Sequence, residues 1–305
     1  MNAKRILVTG GTGFIGRHCL AGLSAHGYEV HATSSRPQCA QTGIHWHQVD
    51  LLDEARTTAL IAELRPAGLM HLAWYAKHGL FWDALENLDW VRASLTLLRA
   101  FIDHGGRRMV GAGTCAEYDW SDGHCIESST PLLPQSLYGV SKNAFRSIAA
   151  EAARRSGISF AWGRIFYLYG PGEQASRLVP LIVRAQLRRE KIACSGSDLL
   201  RDYLYVADVA SALTALFDSR LEGPVNIGSG HAISVGSIAD KIVSRLGAPQ
   251  LVEFKTSGRA ENSAPLIVAD TTRLFGELGW QPAVSLEDGI DQSIAWWRQH
   301  ANVTS

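Results

Sequence analysis

The chain has no charge imbalance: 29 Lys and Arg stand against 29 Asp and Glu over 305 residues, a formal net charge of zero. No overall field draws the molecule to nucleic acid or to an anionic membrane, so any anionic ligand has to be held by a local arrangement. Long apolar runs are also absent, and the longest fall well short of the roughly 18 to 20 residues that a membrane-crossing helix needs. The first residues run straight into a strand-like segment with no signal-peptide pattern, so a cytoplasmic location is expected. Cysteines are few and odd in number: Cys19, Cys39, Cys115, Cys125 and Cys194 are widely spaced, with no C-x-x-C pair. That argues against a disulfide framework and a structural zinc site, and no metal is expected. With 46% hydrophobic and 19% charged residues, what remains is one large globular unit or two closely joined ones.

What is present is an alternation. Short β-branched runs at 5–9, 29–33, 45–49, 69–72, 107–111 and 159–165 alternate with helical patterns, which predicts an α/β protein built on a doubly wound parallel sheet. Between the fourth and fifth runs, Leu88, Val91, Leu95 and Leu98 recur at three- and four-residue steps, and Leu97, Phe101 and Ile102 widen the stripe. One sheet cannot cover so broad an apolar surface, and a partner subunit is expected to cover the rest. After about Ile165 the alternation weakens. Residues 169–172 read as a turn, a basic helical stretch passes through Arg184, Arg188 and Arg189, 225–228 reads as a short strand, and 235–246 and 286–298 read as helices.

The first strand ends in Gly10-x-x-Gly13-x-x-Gly16, with Phe14 and Ile15 before the last glycine, and runs into a helical pattern. Glycines let the backbone turn tightly and approach a pyrophosphate, which then sits against exposed N–H groups at a helix start. An ordinary strand-to-helix turn would use the same spacing, but the strand before, the helix after and the early position all favour a dinucleotide site. About 20 residues on, where NAD sites carry an acidic residue for the ribose 2′-hydroxyl, this chain has Thr33-Ser34-Ser35-Arg36. No carboxylate stands there to repel a 2′-phosphate. Arg36 could pair with one and Ser34 or Ser35 could donate to it, the alternative being a solvated loop arginine. NADP is therefore the expected cofactor, with NAD as the alternative, and Asp50 after the third strand is placed to meet the adenine.

Tyr138-Gly139-Val140-Ser141-Lys142 sets a phenol and an ammonium four residues apart, on one helix face. A phenol that titrates near 10 is a poor proton carrier at neutral pH; the lysine cation and a nicotinamide charge are expected to lower that value. Thr114, 24 residues upstream, follows a strand, so its hydroxyl could bond a substrate oxygen over the same sheet edge. Together the three could protonate and polarise a carbonyl while hydride arrives from a cofactor.

Further motifs span most of the chain: Asp50-Leu51, His71-Leu72-Ala73, Asn87, Tyr118, Tyr169-Gly170-Pro171, Arg201-Asp202-Tyr203-x-Tyr205-Val206-x-Asp208-Val209-Ala210 and Asn226-Ile227-Gly228. With these, the sequence resembles the extended short-chain dehydrogenase/reductases that act on nucleotide sugars as epimerases, dehydratases or 4-ketoreductases. The resemblance implies a Rossmann domain over residues 1–165 with a returning segment near 201–230, and a smaller, mainly substrate-binding domain over 166–305. It implies Thr114, Tyr138 and Lys142 as catalytic triad. The same resemblance puts Gly10, Gly13, Phe14, Ile15, Gly16, Leu51, Leu72, Ala73, Tyr138 and Lys142 at the nicotinamide cofactor. Thr114, Tyr167, Arg177, Arg201 and Arg259 would then meet a nucleotide-sugar substrate, Arg201 and Arg259 near its diphosphate. It also implies a homodimer in which two helices of each copy pair into a four-helix bundle.

Two departures shape the functional reading. Tyr167 stands where relatives usually carry asparagine, and Cys115-Ala116 replace the Asp-Glu that sugar dehydratases carry after the threonine; Glu117 comes one residue late. Cys115 reads as a small buried thiol rather than an acid or base, His71 as packing, and His78 and His124 as solvated loop residues. Trp74 and Trp82 either wall a sugar site or fill core space. The reaction expected is NADPH-dependent reduction of a nucleotide-linked 4-keto-6-deoxy sugar, with a sugar 4-epimerase as first alternative. A non-catalytic dinucleotide sensor is the second, and the intact triad argues against it.

Overall fold

The computed structural model describes residues 4–255 and 264–300. Its first half runs β1 (Arg5–Thr9), α1 (Gly16–Ala25), β2 (Glu29–Ser34), β3 (Ile44–Gln48), α2 (Glu54–Leu64), β4 (Gly68–His71), α3 (Glu86–Asp103), β5 (Arg108–Thr114), β6 (His124–Cys125), α4 (Leu137–Ser156) and β7 (Ser159–Ile165). The second half continues with β8 (Tyr167–Tyr169), α5 (Leu178–Arg188), β9 (Ile192–Ser195), β10 (Leu200–Tyr205), α6 (Val206–Asp218) and β11 (Gly223–Ile227). It closes with β12 (Ala232–Ser234), α7 (Val235–Leu246), β13 (Val252–Lys255), β14 (Leu266–Ala269) and α8 (Leu286–Gln299). The strand expected at 107–111 extends to 114, so Thr114 is its last residue and not a residue beyond it.

Seven strands pair in the order β11-β7-β5-β4-β1-β2-β3, every pair parallel. Both faces of this doubly wound sheet are covered. On one, Leu20 and Leu23 of α1 and Leu213, Leu216 and Phe217 of α6 pack on Ile6, Val8, Val30 and Val225. On the other, Ile61 of α2, Leu97 and Phe101 of α3, and Phe145 and Ala149 of α4 pack on Leu7, Leu69, Met109 and Phe160. Burial on two faces is why the central strands β1 and β4 carry consecutive apolar residues, Ile6-Leu7-Val8 and Leu69-Met70, rather than alternating ones. The stripe read on α3 is only partly core: Leu97, Leu98 and Phe101 are buried, while Leu88 is 54% exposed.

The second region centres on β10, which pairs antiparallel with β12 and parallel with β8 and β14. Helices α5, α7 and α8 close around Ile182, Ile238, Ile242, Ile290 and Trp297. None of β8, β9, β10, β13 and β14 was expected from the sequence, because each is short and held by partners distant in the chain. Two acidic residues of the Arg201–Ala210 motif serve this architecture. Asp202 accepts from the backbone N–H groups of Ser229, Gly230 and Ala269 at 2.7, 3.0 and 3.1 Å, and Asp208 accepts from those of Ala283 and Val284. Among the described residues no helix is long and apolar enough to cross a membrane.

Candidate active site

The strand order reverses between β1 and β4, and in open parallel sheets a ligand crevice forms at such a point, beyond the carboxyl ends of the strands. The glycine loop leaves β1 there, and Leu72 and Ala73 leave β4; both donate their backbone N–H to the Thr9 hydroxyl, at 3.2 and 3.3 Å. Gly13 donates its N–H to the Gly10 carbonyl at 2.9 Å, which folds the loop back on itself. At Gly16 a Cβ would stand 2.1 Å from that same carbonyl oxygen, so no other residue fits. No side chain caps the start of α1, which leaves its first turn to an anion. A dinucleotide fits this cradle. Arg17, which sequence reading passed over, donates to the Gly172 carbonyl at 2.7 Å and ties the loop to the turn after β8.

At the neighbouring strand ends, Ser34 is buried and its hydroxyl accepts from the Arg36 N–H and the Gln38 amide. Ser35 and Arg36 are exposed, and among the described residues no ion pair holds the Arg36 guanidinium. Asp50 is exposed and turns one oxygen onto the Leu52 N–H at 3.0 Å, and Leu51 is buried. His71 is a packing residue: it is buried between the hydroxyls of Thr9 and Ser94 at 2.7 and 2.9 Å, and burial pushes it down to about 3, so it stays neutral.

Thr114 ends β5, and Tyr138 opens α4 just beyond the N-cap Ser136. The Thr114 hydroxyl stands beside the Tyr138 hydroxyl, where it favours the phenolate. Gly139 makes this approach feasible, since a Cβ there would lie 2.3 Å from the Ala116 carbonyl oxygen in the turn that follows Thr114. The Tyr138 ring is met edge-on by Phe81 at 4.8 Å and by Trp82 at 6.0 Å, and its N–H donates to the Trp82 carbonyl. Trp82 thus walls the site. Lys142, one turn along α4, is buried; its ammonium donates to the Ala112 carbonyl at 2.9 Å and lies 4.0 Å above the Trp74 ring. Here the electrostatic expectation is corrected. Burial pushes the Tyr138 phenol above its ordinary value, with the Thr114 hydroxyl opposing, and it pushes Lys142 down to about 7. Desolvation disfavours both charged forms, so the phenol keeps its proton.

Across the crevice, the β8–β10 pairing sets Tyr167 beside Tyr203, with ring centroids 5.6 Å apart. The Arg201 guanidinium lies over the Tyr167 ring at 5.5 Å and donates to the Leu200 carbonyl. Arg177 lies over Phe81 at 5.8 Å. Arg259 lies outside the described residues. Cys115 is buried, and burial raises its thiol well above the ordinary range, as expected of an inert thiol. Glu117 points away from chemistry: it accepts from the Thr114 N–H, the Trp162 indole and Arg164, each at 2.9 Å.

The crevice therefore joins a glycine cradle to a threonine–tyrosine pair with a lysine alongside. A family pattern described as "NAD dependent epimerase/dehydratase family" matches residues 6–228. The chain belongs to that family. Its sheet is the Rossmann-type dinucleotide fold, and membership makes it an NAD(P)-dependent enzyme of oxidoreductase type within a nucleotide-sugar epimerase, dehydratase and reductase group. It is similar to UDP-glucose 4-epimerase of Rhizobium meliloti (strain 1021), 28% identical over 99% of both chains. It is also similar to dTDP-4-dehydro-6-deoxyglucose reductase of Escherichia coli, 27% identical over 96% of this chain and 98% of that one. Among solved structures it is similar to MoeE5 in complex with UDP-glucose and NAD, with a TM-score of 0.84 and 28% identity over 97% of this chain and 99% of that one.

Proposed function

We propose that this family member is an NADPH-dependent reductase of a nucleotide-linked 4-keto-6-deoxy sugar. The observation that carries the reading is Tyr138, a phenol kept protonated by burial and aligned by Thr114, with the nearest following carboxylate, Glu117, locked in a structural pair. Gly10, Gly13, Phe14, Ile15 and Gly16 would hold the dinucleotide diphosphate, Asp50 and Leu51 its adenosine, Leu72 and Ala73 the crevice wall, and Ser34, Ser35 and Arg36 the 2′-phosphate. The bound cofactor supplies hydride to the ring carbon. Tyr138 gives its proton to the carbonyl oxygen, Thr114 orients that oxygen, and Lys142 balances the phenolate that remains. One hydride and one proton complete a ketone-to-alcohol reduction. Water elimination would need a second acid–base pair after Thr114, and Cys115 and Ala116 supply none. On the substrate side, Arg177, Arg201 and Tyr167 would meet the nucleotide sugar; Arg259 joins them as an expectation from the motifs alone.

A second reading, a 4-epimerase, is favoured by the likeness to the Rhizobium meliloti enzyme. Incubation with dTDP- and UDP-linked 4-keto-6-deoxyglucose decides between them. Oxidation of NADPH, followed at the nicotinamide band, is expected, and Arg36→Ala should raise the Kd for NADPH about tenfold with that for NADH unchanged, the scale of one charge-assisted hydrogen bond. Interconversion of two 4-hydroxy sugars without added reductant, and no NADPH oxidation, would establish the epimerase instead.

Two copies are proposed to pair through α3 and α4, which pack on each other within one chain. Leu88 on α3 and Val140 and Ile148 on α4 are left 54%, 47% and 48% exposed, more apolar surface than a lone helix pair usually shows. Light scattering at micromolar concentration should give the dimer mass, and Ile148→Glu should give the monomer. A monomeric wild type would remove the proposal.

A further inference from the structure

The segment after β8 is pinned at both ends of the active site. The Gly172 carbonyl is held by Arg17 at the glycine loop. On the other side, His78, from the loop after β4, bonds the Gln174 side chain through its N–H at 3.2 Å and the Ser176 hydroxyl through Nδ1 at 3.0 Å. Between these anchors sits Glu173. Its N–H donates to the Gly170 carbonyl at 3.3 Å, its side chain is only 9% exposed, and its Oε2 is buried with no hydrogen-bond partner. A buried carboxyl oxygen without a partner costs free energy unless something else satisfies it. Arg177, one turn on, is within electrostatic range of Glu173. The same arginine acts on Tyr138, Tyr167 and Tyr203 and lies over Phe81, which packs on Tyr138. Glu173 therefore lies in the segment that borders the proton donor's pocket, between Gly172 at the glycine loop and Arg177 over Phe81.

We infer that Glu173 is a specificity residue whose unpartnered oxygen, Oε2, hydrogen-bonds a hydroxyl of the hexose; this rests on the nucleotide-sugar reading above. Burial pushes Glu173 up to about 8, so at neutral pH it carries a proton and presents both a donor and an acceptor. A hydroxyl is the complement of that pair. A sugar ammonium would be repelled by Arg177, and a phosphate would be taken by the arginines rather than by a carboxyl. Nothing in the reaction needs Glu173 to move a proton, so it acts on binding.

The test is calorimetric binding of UDP-glucose and dTDP-glucose, of their deoxy-hexose analogues, and of UDP and dTDP alone, to the full chain loaded with NADP. Glu173→Ala should weaken binding of the nucleotide hexose about tenfold and leave the bare nucleotide unchanged. Glu173→Gln, which keeps a donor and an acceptor, should stay within about threefold. For one deoxy analogue the alanine penalty should vanish, which marks the hydroxyl contacted. If Glu173→Ala does not fold, Glu173→Gln and the analogue series still decide. An unchanged hexose affinity in Glu173→Ala, an equal loss for hexose and bare nucleotide, or a tenfold loss in Glu173→Gln would overturn the assignment while leaving the functional reading in place. A wild type that binds bare nucleotide and no nucleotide hexose would instead remove that reading, and this inference with it.

Discussion

Tyr138→Phe is expected to lower kcat by roughly 10² or more, the scale of losing a general acid, and to leave the Kd for the dinucleotide nearly unchanged. The separation follows from where the ring sits. Phenylalanine keeps the edge-on contacts with Phe81 and Trp82 at 4.8 and 6.0 Å, and the backbone N–H still donates to the Trp82 carbonyl. What disappears is the hydroxyl beside Thr114. Single-turnover measurement at saturating cofactor, with fluorescence titration of NADPH alongside, reads the two effects independently. Turnover within tenfold of wild type would mean that another group donates the proton, and the assignment of Tyr138 would fall.

The second large effect concerns stability. Glu117 and Arg164 are buried to 0% and 1% exposure and meet at 2.9 Å. Arg164 also donates to the Tyr118 hydroxyl, which donates to Asn226, and Asn226 donates to the Cys125 and Asp270 carbonyls. This chain of polar groups joins β5, β7 and β11 to the small sheet. Glu117→Ala leaves the Arg164 guanidinium buried without its counter-charge, and removing one member of such a pair typically costs about 3–5 kcal/mol. Tyr118→Phe removes one hydrogen bond from the Arg164 guanidinium and one to Asn226 but leaves the ion pair, and should cost about 1–3 kcal/mol. Urea unfolding of the two variants beside wild type measures both. A Glu117→Ala loss below that of Tyr118→Phe would show that water or a rearranged partner satisfies Arg164. Because the Thr114 N–H rests on the same carboxylate, Glu117→Ala should also loosen Thr114, the residue proposed to orient the substrate.

Local backbone demands made much of the protein legible in its residue order. The glycine spacing from Gly10 to Gly16, the apolar runs of a sheet buried on both faces, and the four-residue step from Tyr138 to Lys142 are each set by neighbours within one turn or one strand. Those features specified the doubly wound sheet, the glycine loop that leaves β1, and the placing of Tyr138 and Lys142 on one helix. The tertiary structure decided what depends on residues far apart. It turned Glu117, read as a misplaced acid, into the partner of Arg164, 47 positions away, and it joined Tyr167 to Arg201 across the β8–β10 pair. It left one oxygen of Glu173 buried without a partner. It also reversed the electrostatics at Tyr138. Motif spacing puts a cation beside a phenol, but only the packed surroundings set how much water either group keeps, and in this pocket desolvation raises the phenol and lowers the lysine.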